Sequence, residues 1–218
     1  LVVLGAAASR VVAPIGAIAA AHHAATNDIG LLNQFDLPVA VHIVVAMIAL
    51  DFAIYVQHWT FHKVPILWRL HQVHHADRDF DATTALRFHP VEIALSLAIK
   101  LGAIYALGAP PLAVLLFEVI LNGAAMFNHA NISLGDKLDR LTRLVIVTPD
   151  MHRVHHSARR EETNSNYGFN LPWWDRLFGT YCAVSQDGKT ALTIGLPEYQ
   201  ERQMNLWRLL ALPFRRRD

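Results

Sequence analysis

Eight histidines stand in three short boxes, His58-Trp-Thr-Phe-His62, His71-Gln-Val-His74-His75 and His152-Arg-Val-His155-His156, and a ninth, His129, stands alone between the second and third. Spacings of three and four residues return to one face of an α-helix, so each box aims two or three imidazoles at one point. Eight or nine nitrogen donors exceed what one tetrahedral ion uses, which argues for two metal ions. A donor set rich in imidazole and poor in carboxylate suits iron, zinc or copper. Ten of the thirteen histidines fall between His58 and His156, and the frequency of the residue alone does not explain two separate His-x-x-His-His boxes.

The elements that must position these boxes are set by an apolar composition. The 218-residue chain is 53% hydrophobic and 17% charged, with a positive mean hydropathy of +0.26, more apolar than an ordinary soluble domain. Val39 to Val56 is an apolar run broken only by His42 and Asp51, long enough with its flanks to span a bilayer. Val91 to Phe127 is apolar but interrupted by Gly108-Ala109-Pro110-Pro111, which predicts two helices and a tight turn. Leu1 to Ala21 is also apolar, weakened by Arg10 and Pro14. With no initiating Met and no basic leader it is expected to be a trimmed first membrane segment rather than a cleavable signal.

The expected fold is therefore all-α, an integral membrane helical bundle of about four transmembrane helices with a cytoplasmic helical cap holding a histidine-rich dimetal site. Residues 1–218 are expected to form one such unit, without repeats or a second domain. His22 to Leu37 and the Gly108 to Pro111 turn lack Lys and Arg, whereas Gln57 to Pro90 carries Lys63, Arg69, Arg78 and Arg87. The positive-inside rule then places all three boxes on the cytoplasmic side. The lone Cys182 allows no intramolecular disulfide, as expected in a reducing compartment.

Polar residues inside apolar helices are costly, so their register is informative. Asp51, Tyr55, His58 and His62 fall on one stripe, making Asp51 a candidate to orient a ligand histidine. Glu118, Asn122 and His129 share a face in the same way. Lys100 and Glu118 reach the same depth and are expected to form a structural ion pair. His89 and Asp150 are further candidates for the shell behind the ligands, Asp150 alternatively as an ordinary helix N-cap. His22, His23 and His42 are expected to be non-ligands, since His42 faces nearly opposite to His58.

The order of the boxes, with Leu67-Trp-Arg-Leu-His-Gln-Val-His-His75 and Thr148-Pro-Asp-Met-His-Arg-Val-His-His156, resembles the fatty acid hydroxylase / sterol desaturase superfamily, and the similarity covers roughly Asp51 to Tyr181. Ala85-Leu-Arg-Phe-His-Pro90 and the stretch from Asn164-Ser-Asn-Tyr-Gly-Phe-Asn to Gly179-Thr180 are similar to its bacterial members. The resemblance implies a membrane di-iron enzyme of the bacterial inner membrane, with zinc as a substitute in purified protein. It would use dioxygen on the cytoplasmic side to hydroxylate or desaturate a C–H bond of a lipid, such as a fatty acyl chain or sterol. Carried over by position, the ligands are His58, His62, His71, His74, His75, His152, His155 and His156. His129 matches where some members carry a histidine pair. Asn166 and Tyr167 are expected, on the same resemblance, to support the third box or line the mouth of the site.

No catalytic side chain beyond the metal ligands is expected. No nucleotide-binding, haem-attachment or iron–sulfur motif accompanies the boxes, so electrons are expected from a separate donor such as a ferredoxin or cytochrome. Lys137, Arg140, Arg143, Arg153, Arg159 and Arg160 offer that donor, or anionic lipid, a basic surface. Nucleic acid is not an expected partner. Leu206 to Arg217 reads as an interfacial anchor, and Trp173, Trp174 and Phe178 as packing or interface residues. The alternatives are a carotenoid hydroxylase, a membrane zinc metallohydrolase, disfavoured by the lack of a His-Glu-x-x-His motif, and a metal-binding or metal-transporting membrane protein.

Overall fold

A computed structural model describes residues 2–188, 191–201 and 204–215, with side chains from Val12 onward. Leu1, the Arg10 side chain, Arg216 and Arg217 lie outside the described residues. Among the described residues the chain is helical, with one isolated bridge between Ser157 and Ile194. Among the described residues three helices are long and apolar enough to cross a membrane: α2 (Val39–Lys63), α4 (Pro90–Leu107) and α5 (Pro111–Asn128). A fourth long helix, α1 (Val2–Thr26), carries Pro14 inside it and packs along α4 and α5.

The outward faces of the spans are apolar. Val41, Val44, Val45 and Ile48 of α2 and Leu115, Leu116, Val119 and Ile120 of α5 are exposed, an arrangement stable against lipid and unfavourable in water. Inside, small residues let the helices approach closely: Ala17, Ala20 and Ala21 of α1 meet Ala46, Ala113 and Val114, with Leu50, Ile104 and Phe117 filling the gaps.

The helices are pinned at one end by two turns that touch. Gly30, with φ +105°, lies so close to Gly108 that a β-carbon on it would come within 2.1 Å of the Gly108 nitrogen. Gly108 caps α4 in the left-handed region, φ 67°, and Pro111 opens α5 where a missing N–H costs nothing. The helix ends opposite these turns, the C-termini of α2 and α5 and the N-terminus of α4, converge on the histidines.

Shorter helices close that end. α3 (Pro65–His75) follows α2 after a turn at Val64 and opens with Pro65. Beyond α6 (Asp136–Thr142) lie α7 (Pro149–His155), α8 (Arg160–Thr163) and α9 (Trp173–Leu177). The tail helix α10 (Leu206–Ala211) and the 3-10 turn after it lay Leu209 and Leu212 on Val73 and Ala76 at the end of α3, and the Arg69 side chain donates to the Arg215 carbonyl at 2.6 Å. Trp207 and Phe214 point outward at 76% and 71% exposure, so the tail both covers the second box and presents aromatic rings outward.

Gly30→Ala is expected to lower the melting temperature in detergent, by about 1–3 kcal/mol of stability, because the backbones of the two turns must separate. Metal content should stay at the wild-type value, and an unchanged melting temperature would contradict the close approach.

Candidate metal centre

Four elements deliver nine histidines to one buried volume. α2 ends on His58 and His62, α3 on His71, His74 and His75, α5 hands over to His129 as its C-cap, and α7 brings His152 and His155 with His156 as its C-cap. They sort into two groups, His58, His62, His71, His75 and His155 in one and His74, His129, His152 and His156 in the other, with the candidate ligand atoms of each group within 4.8 Å of one another. Neighbouring residues of a box feed different groups, which sets the groups side by side. His75 and His156 stack at 4.4 Å between centroids.

Hydrogen bonds behind the rings fix the tautomers. His58 Nδ1 lies 2.8 Å from the Tyr167 carbonyl and His155 Nδ1 2.6 Å from the Ser165 carbonyl. His71 Nδ1 lies 2.6 Å from the Glu92 carboxylate and His129 Nδ1 2.7 Å from the Ala125 carbonyl. Each partner is an acceptor, so each Nδ1 donates and each Nε2 carries a lone pair. Those lone pairs face each other: His58 Nε2 is 3.2 Å from His71 Nε2 and 3.1 Å from His155 Nε2. The His129 lone pair faces His74 Nε2 at 3.2 Å and His152 Nε2 at 3.0 Å, rings whose own Nδ1 atoms have no partner.

With no proton between His58, His71 and His155, such approaches are repulsive unless a cation sits among them. Nitrogens each about 2.1 Å from one ion lie about 3.0 Å apart at a right angle and about 3.4 Å apart at the tetrahedral angle, which brackets the spacings here. Both ring nitrogens of His62, His75 and His156 are buried with no hydrogen-bond partner, a costly state that a metal relieves. Burial, aided by repulsion between neighbouring imidazolium charges, holds His74, His75, His152 and His156 well below the ordinary imidazole range. It takes His155 down to about 3. These rings are neutral and open to metal at ordinary pH. The residues present therefore fit two ions with nitrogen ligands.

Glu92 was not among the sequence candidates, yet it is the carboxylate that orients a box histidine. The available signal was a lone carboxylate in the first turn of an apolar span, an expensive placement that needs a partner. The loop after α8 is as important. Tyr167 is fully buried, with its ring edge-on to His62 at 5.1 Å between centroids, while its N–H and that of Gly168 donate to the two Asp175 oxygens at 2.8 Å each. Burial pushes Asp175 up to about 6 despite these bonds and one from Thr180. Asn166, at φ 52°, donates to the Met151 carbonyl at 3.0 Å and to the Cys182 carbonyl at 2.8 Å, tying α7 to the following strand of chain.

Other candidates land elsewhere. Asp51 accepts from Asn170 Nδ2 at 2.8 Å and Trp174 Nε1 at 2.8 Å, so it anchors the loop to α2 instead of orienting a histidine; the stripe it shares with His58 is real, but the loop intervenes. His89 is the N-cap of α4: its Nδ1 accepts from Val91 N–H at 3.2 Å and its Nε2 lies 3.3 Å from the Leu210 carbonyl, which leaves it in neither group. Thr148, not Asp150, caps α7 through Met151 N–H at 3.3 Å; Asp150 is half-buried in the first turn. His22 and His23 are exposed and His42 is half-buried, and none joins either group. In the basic set, Arg143 is buried against Asp139 at 2.7 Å and Arg159 pairs with Asp187, while Lys137, Arg140 and Arg160 are exposed. Trp173 Nε1 donates to the Leu144 carbonyl at 2.7 Å, and Phe178 stacks on Tyr55 at 5.6 Å.

A cavity of about 200 Å³ leads from the spans to the histidines. His58, His71, His74 and His152 form its floor, and Ile54, Phe61, Ile93, Leu97 and Leu121 much of its wall. Lys100 and Glu118, paired at 2.5 Å, also line it.

Glu92→Ala is expected to weaken binding of one of two ions by about 10–100-fold, seen as one shifted phase in a chelator-competition titration. Two unshifted phases would contradict the pairing with His71. The histidine shifts also set a pH dependence. Their folded values lie below the unfolded 6.5, so the unfolded chain binds more protons as pH falls. The metal-free protein should hold its full stability above about pH 6.5 and lose it progressively toward about 3, read by thermal melts across that window. A flat profile would contradict it.

Residues 43–180 match the family model described as fatty acid hydroxylase. The ornithine lipid hydroxylase OlsE of Rhizobium tropici is 32% identical over 145 residues, 66% of this chain and 43% of that protein. Alkylglycerol monooxygenase of Homo sapiens is 30% identical over 168 residues, 77% of this chain and 36% of that protein. Cholesterol 25-hydroxylase of Homo sapiens is 28% identical over 146 residues, 66% and 52% of the two chains. The chain thus spans less than half the length of the first two relatives. No solved structure matches it. With the family model covering most of the chain and every histidine box inside the match, the chain belongs to the fatty acid hydroxylase family.

Proposed function

We propose that this chain is the core of a membrane-bound di-iron oxygenase that hydroxylates a C–H bond of a lipid. The observation that carries the reading is the set of facing Nε2 lone pairs at the floor of a cavity walled by membrane-spanning helices. His58, His62, His71, His75 and His155 would hold one ion and His74, His129, His152 and His156 the other. Iron in such a setting supplies reductive activation of dioxygen, placing one oxygen atom in the substrate and releasing the other as water with two electrons and two protons from a donor.

The chain's own part is to hold and to exclude. Glu92 and the carbonyls of Tyr167, Ser165 and Ala125 fix four imidazoles, so the ion positions are set before substrate arrives. Phe61, Phe88 and Phe169 line the cavity beside the histidines and keep water from the reacting carbon. A lipid enters sideways from the bilayer, its oxidised carbon reaching the floor between α2, α4 and α5. The two electrons come from a separate protein, received on the cytoplasmic side where Lys137, Arg140 and Arg160 are exposed. The helix α1 would be a fourth membrane segment. Hydroxylation is favoured over desaturation because the relatives' names are those of hydroxylases and monooxygenases. Zinc-dependent hydrolysis is disfavoured because neither histidine group includes a carboxylate.

The test is turnover in isotopically heavy dioxygen with a reductant and a membrane lipid extract. The expected result is one heavy oxygen atom in a hydroxylated lipid, with product lost in His155→Ala. Label drawn from water instead would overturn the reading in favour of hydrolysis.

A further inference from the structure

The cavity that the oxygenase reading uses is not uniformly apolar. Glu92, Ser96 and Lys100 are spaced four apart on α4 and all line it, forming one stripe of that helix. Each has a partner from a different place: Glu92 bonds His71, Ser96 accepts from Gln57 Nε2 at 2.9 Å, and Lys100 bonds Glu118. From Glu92 to Lys100 the stripe rises about 12 Å along the helix axis. Lys100 and Glu118 have side chains only 11% and 3% exposed, well inside spans that are otherwise mostly apolar.

An ion pair kept only for structure would close its hydrogen-bonding valences, since apolar residues of similar volume fill such a place at no greater cost. This one is left open. Glu118 Oε2 is buried with no partner, and so are Gln57 Oε1 and Glu92 Oε2. All three are acceptors, and all three residues line the cavity. Glu118 already neutralises Lys100 and Glu92 adds a further carboxylate, so the belt has no net positive charge to offer an anion. A carboxylate or phosphate placed there would face these acceptors, whereas an uncharged hydroxyl or amide N–H would satisfy them.

We infer that Lys100, Glu118 and Gln57 form a polar subsite that selects lipids carrying a hydroxyl or amide N–H, lying along the stripe on the order of 6 Å (Gln57, at Ser96) to 12 Å (Lys100 and Glu118) from the end where the carbon is oxidised. This rests on the cavity being the substrate chamber. Lys100 and Glu118 are then specificity determinants in addition to an ion pair. Free fatty acids are poor ligands for the subsite.

The test is binding to metal-loaded protein in detergent without reductant, read by thermal shift, with hexadecanol, hexadecyl methyl ether and palmitate as probes. The alcohol should bind about tenfold or more tighter than the ether, one buried hydrogen bond's worth, and palmitate no tighter than the ether. In Lys100→Met with Glu118→Leu, an uncharged pair of similar volume, the ratio of alcohol to ether should fall to near one. Gln57→Leu, which leaves both charges in place and serves if the double variant does not fold, should lower the ratio part way. Equal binding of alcohol and ether to the wild type, a ratio that survives both variants, or a preference for palmitate would each overturn the inference. Discrimination measured without reductant is independent of oxidation. Its absence in a protein that hydroxylates lipid sinks the subsite alone, and its presence in a protein that never oxidises lipid sinks the oxygenase reading alone.

Discussion

Neutral imidazoles held with their lone pairs toward one another are the constraint on which the rest of this structure depends. Three Nε2 atoms, on His58, His71 and His155, meet with no proton to share. A cation seated among them relieves that repulsion. The surrounding parts supply what the arrangement requires: acceptors behind the rings to fix the tautomers, burial to keep the rings neutral, and rigid helix ends to keep them together. Tyr167 shows how these needs combine. Its carbonyl takes the His58 proton, its N–H is held by Asp175, and its ring packs edge-on to His62.

The bilayer explains why those rigid ends are available. In lipid every backbone group must be satisfied within its own helix, so α2, α4 and α5 arrive as continuous helices whose ends converge on the histidines. The touching turns at Gly30 and Gly108 hold the far ends together. The near ends then differ only in which side chains they present. Asp51 gives the clearest link between the two layers: buried in α2, it holds Asn170, Leu171 and Trp174, so the loop carrying Tyr167 is fastened directly to a membrane helix. That is a larger contribution to the site than orienting one imidazole.

Much of this was legible in the residues. The histidine boxes announce themselves because ligand geometry and helix periodicity share a spacing, and the Lys100 and Glu118 pairing follows from equal depth on two helices of a hairpin. What was hidden is instructive. Carbonyl acceptors such as those of Tyr167, Ser165 and Ala125 carry no side-chain signature, so what orients three of these imidazoles is invisible in sequence. Glu92 is visible as a misplaced charge, but its partner is twenty-one residues away on another helix. His89 resembles a ligand by type and neighbourhood, and it proves to be a cap because Pro90 starts a helix immediately after it. The split of each His-x-x-His-His box between two groups also escapes the periodicity, since adjacent histidines look equivalent until the second box is placed against the third.

The measurement that bears most directly on the central claim is anomalous scattering at the iron edge from iron-loaded protein. Two peaks are predicted in each chain, one among His58, His62, His71, His75 and His155 and the other among His74, His129, His152 and His156. A single peak, or peaks placed away from these nitrogens, would contradict the account of two imidazole-built sites.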